Sequence, residues 1–561
     1  MPLEFPVLLL ALVQTQAPAA QQAPPAPPFV DDTKALPGVV TTCGSRAKDY
    51  ILEVDGGGVG LADFDGDGDL DLVVVDGSTF ERVEAGELGF PPRIFLNDGT
   101  GQFELAPKEW DLAAPRWGMG CAIGDIDGDG WLDLFVTSWG TNRVYINRDG
   151  KGFLDATLRW MPIGAEWSTS AAFLDFDRDG RLDLYVANYL DFDLKHVPPP
   201  GGDCSWKGHA VMCGPEGLEP QHDRLWRNVG PRGGATGGLV DASVSAKVRP
   251  ESAAFALGVM TLDYDRDGDT DIYVANDSTP NFLWENQGDG TFEEVGLERG
   301  VSHDMNGKEQ AGMGVACGDI DGDGREDLLV TNFSGEANAL YLSRGERGFS
   351  ERSGASGIAG PSMQRLGWGT ALADFDLDGK LDSFAFNGHV YPQADRPGTD
   401  TSYAQPADFY RGLANSRFAV EPLVDGPPRA WRASTFGDID GDGDLDLVAL
   451  EIDGPVHVLR NRVREPGKTA GPHWLAVELR SKQGNRFALG GFVKAEWEGG
   501  QRTAEIRTSG GYQSSIPARA HFGLGASAKV KRVVATWPSG RELVLENVDA
   551  DRLLVLEEPE R

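Results

Sequence analysis

Basic residues are scarce in this chain. It holds 51 Lys and Arg against 87 Asp and Glu over 561 residues, a formal net charge of −36. A uniformly acidic surface repels phosphate backbones, which argues against nucleic acid as a partner. The apolar run at the N-terminus, Phe5 to Val13, is too short to span a bilayer. Eight His are scattered along the chain, and it has no nucleophile elbow, HExxH or phosphate-binding loop. Cysteine is sparse and odd in number, at five. Cys204 and Cys213 lie close in one loop and are candidates for a disulfide. Cys121 and Cys317 fall in apolar strand patterns and read as small buried thiols. Cys43 is unassigned.

Glycine, in contrast, is abundant at 74 copies, with 34 Pro, which predicts many turns and few long helices. A hydrophobic content of 40% is enough for packed cores, and the length allows two or more domains. Small residues at Ala17, Ala19 and Ala20 follow the apolar run, as at a signal-peptidase site. Residues 1–20 are therefore read as an export signal, although Glu4 is the only charge before Asp31. A plain N-terminal tail is the alternative. The Pro-rich stretch 21–28 reads as a linker.

One pattern occurs seven times. "DFDGDGDLD" begins at Asp63, "DIDGDGWLD" at Asp125, "DFDRDGRLD" at Asp175 and "DYDRDGDTD" at Asp263. "DIDGDGRED" begins at Asp319, "DFDLDGKLD" at Asp374 and "DIDGDGDLD" at Asp438. Every copy keeps Asp at positions 1, 3, 5 and 9 and Gly at position 6. Alternating carboxylates in a tight loop suit calcium, a hard cation that takes 6 to 8 oxygen ligands, and the Gly permits the sharp turn. The candidate metal ligands are Asp63, Asp65, Asp67 and Asp71; Asp125, Asp127, Asp129 and Asp133; and Asp175, Asp177, Asp179 and Asp183. The later copies add Asp263, Asp265, Asp267 and Asp271; Asp319, Asp321, Asp323 and Asp327; Asp374, Asp376, Asp378 and Asp382; and Asp438, Asp440, Asp442 and Asp446. Up to seven calcium ions are expected. An Asp-Gly turn without metal would leave these carboxylates uncompensated.

Each loop lies between two strand-like runs, and two more strands follow. Four strands in each of seven units predict an all-β fold, a seven-bladed β-propeller with calcium-binding DxDxDGxxD loops. Five residues before each first Asp stand Gly58, Gly120, Ser170, Gly258, Gly314, Gly369 and Ala433. All are small, as strands crowding a central axis require. Blade seven lacks a fourth strand of its own, and "PPFVDDTKALPG" resembles one, so Phe29 to Thr33 is expected to close the ring. The propeller is placed at 29–462, a linker at 463–471, and a small β-sandwich-like domain at 472–559, where apolar and polar residues alternate.

"GGYQSS", "HFGLG" at 521–525 and "WPSG" at 537–540 resemble the ASPIC/UnbV domain, and the preceding repeats resemble the FG-GAP/VCBS type. In this order they resemble bacterial relatives of the cartilage acidic protein family, as do "VMCGPEGLEPQHDRLWRN" and "NGHVYPQ". The resemblance implies calcium binding and an extracellular or surface setting, and no defined activity. Thr270 and Glu326 depart from the Leu found at position 8 of the other five loops, which puts the packing of blades four and five in question.

The metal loops should share one face, leaving long loops 77–92, 189–223 and 388–406 on the other. Second strands end on Asp76, Ser138, Asn188, Asn276, Asn332, Asn387 and Glu451. Two readings stand: residues suited to turn entry, or a polar ligand site completed by Trp139, Tyr189 and His389. The first functional expectation is an exported binding or adhesion protein, with an extracellular protein or glycan as ligand and no transmembrane segment. The alternative is a secreted lyase or hydrolase acting on carbohydrate, using His209, His222 or His389 on that face.

Overall fold

The computed structural model describes residues 28–36, 38–198, 203–230, 238–464 and 471–560. The expected export signal at 1–20, most of the Pro-rich linker and residues 465–470 of the second linker lie outside them. None of the helices among the described residues is long and apolar enough to cross a membrane.

Strands dominate. Seven sheets each contain a run of four antiparallel strands, and within each the DxDxDGxxD loop joins the first strand to the second. The first strands are Val59–Ala62, Gly118–Gly124, Ser168–Leu174, Ala256–Leu262, Gly312–Gly318, Gly367–Ala373 and Trp431–Gly437. Each packs beside the next in this order, and Trp431–Gly437 packs beside Val59–Ala62. In the seventh sheet the outer place is taken by Phe29–Asp31, whose Phe29 stands opposite Asn461. Phe29 is fully buried, 5.9 Å from the Phe375 ring and 6.1 Å from Phe409. An N-terminal strand thus pairs with the last sheet, which covers an otherwise exposed edge.

The C-terminal segment folds as two sheets. One contains Ala520–Gly525, His473–Arg480 and Arg552–Glu557; the other contains Gly500–Glu505, Phe492–Trp497, Lys529–Thr536 and Glu542–Asp549. Val477, Val493, Val533 and Trp537 are buried, and their hydrophobic cluster runs on into Ile123, Phe135 and Phe173 of the propeller. The two domains therefore share one core.

Their junction is a hairpin, Ser509–Gly510 with Ser514–Ser515, that enters the propeller axis. Ser515 pairs with Gly60 of the first sheet, and Gly511 bridges to Val315 of the fifth. The Gln513 carbonyl accepts the Cys121 N–H at 3.2 Å, and the Gln513 N–H reaches the Ser170 hydroxyl at 3.3 Å. Ser509 and Thr261 share a hydroxyl bond of 2.9 Å, and Thr435 donates to the Ser515 carbonyl at 2.7 Å. Tyr512, fully buried, meets Trp368 of the sixth sheet edge-on at 4.9 Å. Every blade touches the hairpin. This accounts for the small residues of the first strands: a Cβ at Gly120 would lie 2.7 Å from the Thr169 carbonyl oxygen and 3.0 Å from Gln513. At Gly58 and Gly120 that space is filled by backbone from the other domain; at Gly258, Gly314 and Gly369 it is filled by the first strand of the next blade.

The two departures at position 8 have the same cause. Glu326 is buried against Arg507, which lies 3.3 Å from it and 2.8 Å from Glu505. Thr270 lies under Gly490. Leu is replaced where the C-terminal domain docks, and a buried carboxylate is tolerable at Glu326 because a guanidinium meets it.

Truncating a buried aromatic anchor in a core costs about 3–5 kcal/mol. Tyr512→Ala is therefore expected to lower the melting temperature of the whole chain in a calorimetric scan. A variant that melts like the wild type would show that the hairpin contributes little.

Candidate functional site

Within each metal loop the position-1 carboxylate is a turn-former. Asp63 accepts N–H groups from Gly66 and Gly68 at 2.7 and 3.1 Å, and Asp125 accepts those of Gly128 and Gly130 at 2.8 and 2.9 Å. Positions 4 and 6 both take positive φ. Position 6 is always Gly, but Arg178, Arg266 and Leu377 occupy position 4 at φ of 54°, 68° and 57°. That second left-handed position was readable in the sequence as Gly66, Gly128, Gly322 and Gly441.

Asp at position 9 joins loop to blade. One Asp133 oxygen accepts the Ile126 N–H at 2.9 Å and the other accepts the Asn147 N–H from the third strand at 2.8 Å. The Asn147 side chain then donates to the carbonyl of Phe64, in the preceding blade's loop, at 2.8 Å. Asn228 does the same to Ile126, Asn286 to Phe176, Asn461 to Phe375 and Asn97 to Ile439. This belt runs from blade to blade and crosses the junction between the seventh and the first. The signal was present as Asn at the end of the third strand in "NRVYIN", "DRLWRN" and "NFLWEN".

Asp63, Asp65 and Asp71 bring one oxygen each within 4.8 Å of one another, as do Asp125, Asp127 and Asp133; Asp175, Asp177 and Asp183; and Asp263, Asp265 and Asp271. In the fifth loop the group is Asp319, Asp321 and Asp323. Positions 1, 3 and 9 thus converge in four loops and positions 1, 3 and 5 in one. The all-oxygen donor set fits a hard cation such as calcium. Burial, above all, pushes the Asp125, Asp175, Asp263 and Asp438 carboxyls up to about 7 and Asp374 to about 8. Neighbouring carboxylates add to the shift. In the third, sixth and seventh loops a third-strand arginine (Arg227, Arg411 or Arg460) pairs with the position-3 carboxylate of Asp177, Asp376 or Asp440.

The C-terminal domain covers the inner side of this face. Thr503 N–H reaches Asp319 at 3.4 Å, Glu505 accepts the Asp263 N–H at 3.1 Å, and Gly525 N–H donates to the Leu377 carbonyl at 2.9 Å. His521 lies 3.0 Å from the Gly443 carbonyl.

The opposite face differs from a ring of accessible polar side chains. Asp76, Ser138, Trp139, Asn188, Tyr189, Asn276, Asn332, Asn387 and His389 are all buried, and Glu451 is half-buried between Arg429 and His457. The amides serve the turns: Asn188 donates to the His222 carbonyl, Asn276 to Pro280, Asn332 to Ala337 and Asn387 to Pro406. The Ser138 N–H is held by Asn142, Asp76 pairs with Arg93 at 3.1 Å, and Trp139 lies under the Arg116 guanidinium at 3.8 Å. The physical reason is position. The second strands end one layer beneath the long loops, where a polar side chain must find a backbone partner. Of the ten, Tyr189 lines the cavity beneath the long loops.

Those loops meet across the mouth. A short hairpin, Ser205–Trp206 with His209–Ala210, is held by the Cys204–Cys213 disulfide, Cα to Cα 5.3 Å. Its Trp206 rests on His389 at 4.6 Å and Tyr391 at 5.7 Å, and His209 reaches the Pro397 carbonyl at 3.1 Å. Loop three thus docks on loop six. Burial and Arg432 press the His389 imidazole down to about 3, so it stays neutral and is a poor base. His222 packs separately beside Arg224 and Arg249, which also hold its pKa down. The three histidines do not form one catalytic group.

Beneath the loops lies a cavity of about 700 Å³, lined among others by Asp55, Tyr189, Asp277, Phe333, Trp368 and Tyr391. Asp55 and Asp277 were missed by sequence reasoning. Asp55 sits in a segment outside the repeats, and Asp277 directly follows the flagged Asn276.

Repeated blades, Asp-rich loops and a docked C-terminal sandwich define an FG-GAP-type β-propeller protein with an ASPIC/UnbV domain. Residues 63–136, 125–186, 263–330 and 319–385 match the FG-GAP-like repeat, and 481–561 match the ASPIC and UnbV family. The chain is similar to cartilage acidic protein 1. It is 26% identical to the Xenopus tropicalis protein over 508 residues, covering 86% of this chain and 70% of that one. It is 30% identical to the human protein over 299 residues, covering 50% of this chain and 40% of that one. Among solved structures, an Agrocybe aegerita lectin recognising terminal N-acetylglucosamine aligns at TM-score 0.36 and 16% identity, over 65% of this chain and 79% of that one. Trypanosoma rangeli sialidase aligns at TM-score 0.33 and 10% identity, over 65% and 56%.

Two outcomes are expected. Because burial pushes the Asp125, Asp175, Asp263 and Asp438 carboxyls up to about 7, calcium binding at those loops should displace protons, and its affinity should fall as pH drops through 7. Titration calorimetry at pH 6.5 in buffers of different ionisation enthalpy reads the released protons; their absence would refute the coupling. Separately, Asn147→Ala leaves the buried carbonyls of Phe64 and Leu132 without their donor and should cost about 1–3 kcal/mol in denaturant unfolding. A loss below a few tenths would remove the Asn belt from the account of stability.

Proposed function

We propose that this chain is an exported, calcium-stabilised binding protein whose loop-rich face engages an extracellular protein or glycan. The observation that carries this reading is the asymmetry of the two faces. The metal-loop face is engaged by the chain's own C-terminal domain, whereas the opposite face carries the long loops, a disulfide-held strap and the cavity. Long loops on a rigid scaffold are the usual location of binding. Export is supported by the apolar run with its small residues and by the Cys204–Cys213 bond, which persists in oxidising compartments. Similarity to proteins named for cartilage is in keeping with that setting. The calcium ions act as structural clamps, held by the position-1, -3 and -9 carboxylates with position 5 contributing.

The test is a glycan and extracellular-protein array probed with the mature chain in calcium and in chelator. Binding that is lost when the 203–222 strap is replaced by a short Gly-Ser turn, at unchanged calcium-loaded melting temperature, is the expected result. Hits that survive strap replacement would place the binding surface elsewhere. Release of product from any polysaccharide would favour a catalytic role instead.

A further inference from the structure

The cavity is lined by a buried carboxyl group, Asp55, whose hydrogen-bonding capacity is not filled among the described residues. Asp55 is 2% exposed, and its Oδ2 has no hydrogen-bond partner among the described residues. A buried carboxylate left unpaired is costly. The nearest candidate for compensation is Arg432, which is fully buried. Four of its five N–H donors go to carbonyls: Nε to Val54 at 2.5 Å, Nη1 to Trp431 at 2.6 Å and Gly388 at 3.3 Å, and one Nη2 N–H to His389 at 3.2 Å. Its guanidinium plane also lies over Trp368 at 4.2 Å. Arg432 offers Asp55 a nearby charge, and the Asp55 Oδ2 receives no hydrogen bond from it.

A second carboxylate lines the same space. Asp277 accepts the Tyr189 hydroxyl at 2.5 Å and the Ser278 hydroxyl at 2.9 Å, which leaves lone pairs on both oxygens. Further acids line the cavity at Glu216, Glu309 and Glu336; the one lysine there, Lys308, is drawn to Glu336 at 3.3 Å. The rest of the wall is largely apolar and aromatic, including Phe255, Phe333 and Tyr391. The Tyr512 hydroxyl, buried on the axial hairpin, is also without a partner among the described residues. Acidic groups converging inside an aromatic wall are what an organic cation requires: acceptors for N–H, and π faces for the charge.

We infer that the cavity takes an organic ammonium group, its N–H donors directed at Asp55 and Asp277 and its apolar body against the aromatic wall. This rests on the reading of the loop-rich face as the binding face, and narrows it to a chemistry. The ammonium comes from a free amine or from a lysine side chain of a partner, and both present the same group. A volume of about 700 Å³ lies within the range usual for small-molecule sites.

The test uses the full mature chain with calcium. Phenethylamine and Nα-acetyl-lysine amide are titrated by calorimetry beside their neutral counterparts, phenethyl alcohol and Nα-acetyl-norleucine amide. At least one ammonium probe should bind saturably, about tenfold or more tighter than its neutral counterpart, and the better of the two identifies the source. Asp55→Asn, close to isosteric, should abolish that preference; if it does not fold, Asp277→Asn serves for the same comparison. Equal binding of charged and neutral probes, as expected if a water merely fills the place, would overturn the inference. So would no binding by either amine, or a preference that survives substitution of Asp55. Array hits that persist alongside any of these results would leave the binding-protein reading intact.

Discussion

The position-9 aspartate is the interaction on which the architecture depends. Its two oxygens accept N–H groups from different strands: one fixes the start of the metal loop, the other holds the end of the third strand. Because the same residue also faces the converging position-1 and position-3 carboxylates, the folding of a blade and the building of a cation site are one event. Neither oxygen can be protonated without weakening a backbone bond. Burial nevertheless drives Asp133, Asp183 and Asp271 well above the usual carboxylate range. A cation offsets that drive, which is why metal and fold belong together here.

From that residue the order spreads outward. The backbone N–H it holds belongs in five blades to an Asn, whose side chain crosses to the preceding loop. Inward, the first strands are thin enough at Gly58 and Gly120 for the 509–515 hairpin to stand against them. A ring of small residues is usually explained by blades crowding one another. Here the next blade crowds Gly258, Gly314 and Gly369, and the other domain crowds Gly58 and Gly120, so the propeller axis is also a contact between the two domains of one chain.

Much of this was legible in the sequence, and the boundary between legible and illegible follows repetition. Seven copies of one loop reveal blade, turn and cation chemistry, because each copy confirms the others. The small residues before each loop, and the crowding of strands at the axis that they imply, were visible; the hairpin that shares that axis was not, because a segment distant in sequence leaves no periodic trace. Glu326 and Thr270 looked like defects of packing when read within the repeat. They are adaptations to Arg507 and Gly490. The polar strand ends from Asp76 to Glu451 allow two readings in the sequence, turn entry or a ligand site, and the hydrogen bonds favour the first. Their repetition marked a recurrent structural task, satisfying turns beneath long loops, and repetition alone cannot separate that task from ligand recognition.

The same boundary locates function. Chemistry that recurs from blade to blade serves the ring: the position-9 carboxylates hold loop and third strand together, and third-strand amides cross to the preceding loop. What remains must come from residues that occur once. Asp55 comes from the segment between the closing strand and the first blade, Asp277 from one turn, Trp206 from one strap and Tyr512 from one hairpin. No periodicity relates them, yet they are brought to the same mouth. A scaffold of repeated four-stranded sheets can hold such an asymmetric set rigidly, so that a buried carboxyl with an unpartnered oxygen is kept in place instead of relaxing toward solvent. The regular part of the molecule builds the frame; the irregular part is gathered at the face opposite the Asp-rich loops.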